Sequence, residues 1–146
     1  MNLLVLLLTL FGGQHTDPPA SWPCETEPRS GAEICLETSA TLDCHVDYSS
    51  GIYDSCSVEV GYSLTTDYAG ESSIDVDLYC TAEVDYDARA GYDSYVSDYG
   101  YTSANLTAND YEYGSVSLSV SFSWSDEVTN ASIRSAACEI QGTRLW

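Results

Sequence analysis

His45, Glu59 and Tyr79 are the residues whose types best suit chemistry, provided the fold sets them side by side. An imidazole next to a carboxylate and a phenol could move a proton or hold a metal ion. Asp43 and Asp77 would flank that row on one side, Asp47 and Thr81 on the other. A second group is Asp85, Asp87 and Asp93, three carboxylates within one short turn-like run. Clustered hard oxygens suit Ca2+, although Arg89 stands where a further ligand would be needed. Beyond that ion the sequence calls for no cofactor. Nucleophilic catalysis finds no support: the two histidines are His15 and His45, and neither GxSxG nor a phosphate-cradling glycine loop occurs. A carboxylate hydrolase would need a close acid pair, and Glu59 and Glu83 lie too far apart along the expected strands.

What must position these residues is a strict alternation of apolar and polar side chains. It runs Leu42-Cys44-Val46-Tyr48, Cys56-Val58-Val60-Tyr62-Leu64, Ile74-Val76-Leu78-Cys80-Ala82-Val84-Tyr86, Val116-Leu118-Val120-Phe122-Trp124 and Ala136-Cys138-Ile140. A period of two is the signature of pleated strands with one buried face. No stretch has helical periodicity. Turn-rich gaps fall at 49–51, 65–72, 88–94 and 126–131. The expected fold is all-β, an antiparallel sandwich of immunoglobulin-like or jelly-roll-like kind with essentially no helix.

Simple hairpins would set Tyr48 opposite Cys56, Val46 opposite Val58 and Cys44 opposite Val60. The next would set Leu64 opposite Ile74, Tyr62 opposite Val76 and Val58 opposite Cys80. The last would set Phe122 opposite Ala136 and Val120 opposite Cys138. These registers keep all apolar residues on one face, which a one-residue slip would undo. They also place His45, Glu59 and Tyr79 in one row on the open outer face. An open sheet face neither excludes water nor shifts pKa values, which weighs against catalysis.

Six cysteines, Cys24, Cys35, Cys44, Cys56, Cys80 and Cys138, argue for disulfides and an oxidising compartment. No CxxC or HxxxH spacing offers zinc ligands. In the expected register Cys44 and Cys80 lie two strands apart, about 10 Å, too far for a bridge. A link from one of them to Cys138 on a second sheet fits, and the connectivity otherwise stays open.

The formal charge is −19, with 23 acidic residues against four arginines and no lysine. Nothing could neutralise phosphate, so nucleic acid and anionic membrane surfaces are excluded as partners. At 146 residues the chain is long enough for one domain. Residues 1–13 read as a secretory signal peptide, since the apolar run Leu3 to Phe11 is too short to span a membrane. Residues 14–32 form a Pro-rich arm that Cys24 would tie to a β domain over 33–146.

The stretch 86–113 is rich in tyrosine, and Asp-Tyr recurs at 47–48, 67–68, 85–86, 98–99 and 110–111. Tyrosine suits half-buried strands, and it also suits a recognition surface for glycan or protein. Ser115, Ser117, Ser119, Ser121, Ser123 and Ser125 would line the outer face of their strand. Asn105 and Asn130 begin N-glycosylation sequons, expected in loops. The expectation is therefore a secreted or cell-surface protein with a non-enzymatic structural, adhesive or assembly role. Its partners would be copies of itself or another surface protein. The alternative is a glycan- or calcium-binding module using the tyrosine-rich stretch.

Overall fold

The computed structural model describes residues 23–146, apart from Ala90, Tyr92 and the side chain of Asp93. The expected signal peptide, residues 14–22 of the Pro-rich arm and Tyr92 thus lie outside the described residues.

Among the described residues seven antiparallel strands follow in order: β1 (Cys24–Thr26), β2 (Glu33–Asp47), β3 (Ile52–Thr66), β4 (Ile74–Ala88), β5 (Asp93–Leu106), β6 (Tyr111–Ser121) and β7 (Val128–Leu145). They form two sheets, β1-β2-β3-β6 and β5-β4-β7, and the expected sandwich is the fold found. Only β2-β3 and β4-β5 are hairpins between long strands. Each of the other long links, β3 to β4, β5 to β6 and β6 to β7, passes from one sheet to the other.

The alternation phase is correct through most of the strands, because the even-numbered residues of β3 and β4 face the core. Val58, Val60 and Leu64 from one sheet meet Ile74, Val76, Leu78 and Val84 from the other, all fully buried. At roughly 25 cal/mol per Å2 removed from water, such side chains each contribute about 2 kcal/mol, which makes this layer the main stabilising term. The two sheets approach closely at β5 and β6, where a Cβ on Gly100 would meet Val116 Cγ1 at 2.9 Å and Leu118 Cδ2 at 3.1 Å. Across the same gap Asp98 Oδ2 accepts the Ser119 N–H at 3.0 Å and so caps an edge group of β6.

The pattern misleads at strand ends. Tyr48 lies in the β2-β3 turn and is fully exposed, because a bulge between His45 and Val46 changes the register there. Strand β6 stops at Ser121, so Trp124 belongs to a single 3-10 turn, Trp124–Asp126, and is 71% exposed. Ser123 and Ser125 therefore leave the serine row and bond each other at 2.8 Å.

Three expected registers are corrected. In β2-β3, Cys44 faces Cys56 and Leu42 faces Val58, a slip of four residues that preserves the buried face. Strands β3 and β4 do not pair; β3 pairs with β6, and β4 lies between β5 and β7. Strands β6 and β7 likewise belong to different sheets.

All six cysteines form the expected disulfides, as Cys24–Cys35, Cys44–Cys56 and Cys80–Cys138. Each joins residues that face one another on neighbouring strands. The Cys80–Cys138 link matches one expected pairing but runs within a sheet, not between sheets. No disulfide among them ties the two layers together. Cys24 is exposed and Cys35 only half-buried, whereas Cys56, Cys80 and Cys138 are buried in the core.

Candidate functional site

The expected row of His45, Glu59 and Tyr79 does not form. His45 and Glu59 sit on the outer face of the four-stranded sheet, opposite Ser55 and Thr41 respectively. Four residues of strand separate those positions, about 13 Å. Tyr79 belongs to β4 in the other sheet, because the β3-β4 link crosses over instead of turning back. The same crossover separates Asp43 from Asp77 and Glu59 from Glu83. His45 instead places Nδ1 at 2.9 Å from both carboxylate oxygens of Asp54, a partner that its spacing did not suggest. That hydrogen bond leads the effects that hold the Asp54 carboxyl below its ordinary range. Glu59 accepts a hydrogen bond from Ser115 Oγ.

Around Glu59 the outer face of the four-stranded sheet is small and hydroxylic. Ser115, Ser117, Ser119 and Ser121 on β6 face Gly61, Glu59, Ser57 and Ser55. Towards the start of β6 the same face changes: Tyr111 and Tyr113 stand exposed with ring centroids 5.9 Å apart, beside a shallow, solvent-open depression lined by Glu37, Ser39 and Gly61.

The other outer face, that of β5-β4-β7, is different. The odd-numbered residues of β4 and β5 point away from the core, so Tyr79 and Tyr101 face one another and Tyr99 faces Thr81. Their rings form a cluster, with centroids 5.0 Å apart for Tyr79 and Tyr101, 5.8 Å for Tyr79 and Tyr99, and 6.0 Å for Tyr99 and Tyr101. Tyr99 is 60% and Tyr101 69% exposed, so two phenols stand open to solvent on a rigid support. Glu139 on β7 completes the Tyr101-Tyr79 row, and Asp77 lies opposite Ser103 one pleat along. A shallow, solvent-open depression beside the rings is lined by Asp77, Tyr101, Thr102, Ser103 and Gln141.

Each end of this face carries an arginine against a ring. The Arg134 guanidinium lies 4.5 Å from the Tyr95 ring centroid, with Nε 3.7 Å from Glu83 and Nη1 3.8 Å from Asp85. At the far end Arg144 lies 5.4 Å from the Trp146 ring and faces Asp75 across the β4-β7 ladder. Asp75 accepts hydrogen bonds from Asn105 Nδ2 and Trp146 Nε1, which together with the Arg144 charge hold its carboxyl below the usual range. Only the tyrosine richness hinted at this face. Its members come from three strands, and the decisive pairing of Tyr79 with Tyr101 required the β4-β5 register.

The calcium candidates lie at the Arg134 end. Asp87 faces Asp93 across the hairpin, while Asp85 faces Tyr95. Asn130 donates to Asp87 at 3.3 Å, and Arg134 stands beside Asp85. Arg89 turns away to Glu127, at 3.4 Å. Among the described residues, the one trio of candidate ligand atoms lying within 4.8 Å of one another is Cys24, Glu33 and Cys35, whose sulfurs are joined in a disulfide. Asn105 and Asn130 occur on strands β5 and β7 rather than in loops, at opposite ends of the tyrosine face. Both are exposed.

Among the described residues, five carboxyl groups stand away from their ordinary pKa, and all five are lowered. For Glu27, burial pushes upward, but hydrogen bonds from Ser30 and the Arg29 N–H, with the Arg29 charge, outweigh it.

No family model and no curated protein matches the chain. Among solved structures, one titled "X-ray structure of Northeast Structural Genomics Consortium target SoR45" is similar over 72% of this chain and 84% of its own, at 16% identity and a TM-score of 0.22.

Proposed function

We infer that this is an exported, non-enzymatic domain that adheres to a partner through the outer face of β5-β4-β7. The observation that carries this reading is the Tyr79-Tyr99-Tyr101 cluster, two of its rings mostly exposed on the outer face of the three-stranded sheet. Exposed aromatic rings are what interfaces use as anchors, since each offers a large contact area at little entropic cost. Three disulfides support a place in an oxidising compartment, outside the cell or at its surface. A general acid working at neutral pH needs a raised pKa, whereas the carboxyls shifted among the described residues are all lowered.

The test is adhesion of protein-coated beads to three films: an insoluble neutral polysaccharide, a basic polypeptide and the protein itself. Beads carrying Tyr99→Ser with Tyr101→Ser should lose adhesion to one of these while the melting temperature stays unchanged. Equal adhesion by both proteins on every film, or none on any, overturns the reading.

A further inference from the structure

The outer face of β5-β4-β7 repeats one arrangement three times, and its middle copy lacks a cation. At one end Arg134 lies over Tyr95 between Glu83 and Asp85. At the other Arg144 lies over Trp146 opposite Asp75. Between them Tyr79, Tyr99 and Tyr101 stand with Asp77 and Glu139, and no arginine of the chain is placed over these rings. The remaining two are engaged elsewhere, Arg89 at Glu127 and Arg29 at the Leu145 carbonyl oxygen. With no lysine and a net charge of −19, the chain has no other side-chain cation of this kind to offer.

We propose that the Tyr79-Tyr99-Tyr101 face binds an extended basic segment of a partner protein, whose arginines take the place that Arg134 and Arg144 fill at the two ends. The proposal rests on the adhesive reading above and names its partner. A guanidinium over a tyrosine face is attracted by the ring quadrupole, and neighbouring carboxylates add charge complementarity. The spacing is specific. Tyr101 and Tyr99 are two residues apart on β5, so their rows are about 6.7 Å apart. An extended peptide presents alternate side chains at the same interval. An Arg-x-Arg segment running along β4 therefore sets one guanidinium at the Tyr79-Tyr101-Glu139 row and the next at the Tyr99 row. Anionic glycans and acidic proteins are repelled by the same charge that draws this segment in.

The probe is a labelled peptide of repeated Arg-Ser dipeptides, compared with its isomer carrying the arginines in one block, at physiological ionic strength. Alternating arginines should bind more tightly than the block. Tyr99→Ser and Tyr101→Ser should each weaken that binding about two- to fivefold. Asp77→Asn with Glu139→Gln should weaken it as well, more than Glu37→Gln with Asp43→Asn on the opposite sheet. Equal losses from both carboxylate pairs, or equal affinity for both peptides, mean diffuse charge attraction alone and overturn the proposal. Tyrosine-dependent adhesion to neutral polysaccharide without peptide binding overturns it too, yet leaves the adhesive reading standing. Loss of neither upon tyrosine substitution removes both.

Discussion

Asp110 shows how single exposed carboxylates hold this fold's turns. Its Oδ2 accepts the Thr107 N–H and hydroxyl, each at 3.0 Å, and its Oδ1 accepts the Tyr111 N–H at 2.9 Å. The turn needs such a clasp because Asn109 sits at φ 53°, a left-handed conformation that asparagine tolerates better than most residues. The backbone bonds from Thr107 and Tyr111 lower the Asp110 carboxyl. A lowered value in the fold means that the contribution is present above about pH 4 and lost as pH falls through the folded value. Asp110→Asn should therefore melt below the natural protein at pH 6, with the gap closing towards pH 2. Thermal melts at both pH values check this, and a gap that stays constant would show that geometry, not charge, is at stake. Nothing in the spacing of Thr107, Asn109 and Asp110 announced the role beyond a loop of turn-forming residues. By contrast, His45 and Glu59 look chemically promising by type, yet they stand about 13 Å apart, and each takes a different partner, Asp54 for His45 and Ser115 for Glu59.

Among the elements, parity was legible and partnership was not. Alternation states which face of β3 and β4 is buried, because an odd slip would expose Val58 or Val76 to water. It says nothing about even slips. Cys44 opposite Val60 and Cys44 opposite Cys56 bury the same side chains, and only the turn at 48–51 with its neighbouring bulge selects the second. Nor does alternation reveal whether a link of seven residues between Thr66 and Ile74 turns back or crosses to the other sheet. The tyrosine cluster is not legible in the sequence for that reason, since simple hairpins align Tyr79 with Glu59 rather than with Tyr101. The disulfides follow from the true registers: each is a rung between facing residues. Cys80–Cys138 spans 58 residues of sequence and Cys44–Cys56 spans 12. By the loop-entropy relation these stabilise by ~4 and ~3 kcal/mol respectively. Cys80→Ala with Cys138→Ala should thus lower the urea midpoint further than Cys44→Ala with Cys56→Ala. The fully buried position of Cys80 widens the difference by leaving a cavity. A larger loss from the Cys44 and Cys56 pair would contradict this ordering.

At the scale of the whole molecule, charge opposes the packing that the sheets achieve. Both outer faces carry carboxylates, while the four arginines answer only a few of the 23 acids. Among the described residues, the ion pairs of Arg89 and Arg134 lie at the surface, at 3.4–3.8 Å, where each is worth less than about 1 kcal/mol. Repulsion among the remaining carboxylates acts over longer distances, and it grows as the chain compacts. With no disulfide among the three crossing between sheets, apolar packing in the core must resist that repulsion. Salt separates the two effects, because it shortens the Debye length from about 30 Å at 0.01 M to about 8 Å at 0.15 M. Surface ion pairs would weaken over that range, lowering the melting temperature; screened repulsion would raise it. The excess of acids decides the sign, so the melting temperature should rise by about 4 °C, the equivalent of roughly 1 kcal/mol for a domain of this size. Calorimetry at the two NaCl concentrations measures this, using a fully oxidised sample so that all three rungs are intact. A flat or falling melting temperature would mean that the arginine contacts outweigh the carboxylate field. The same field would then be too weak to draw a basic segment onto the tyrosine face.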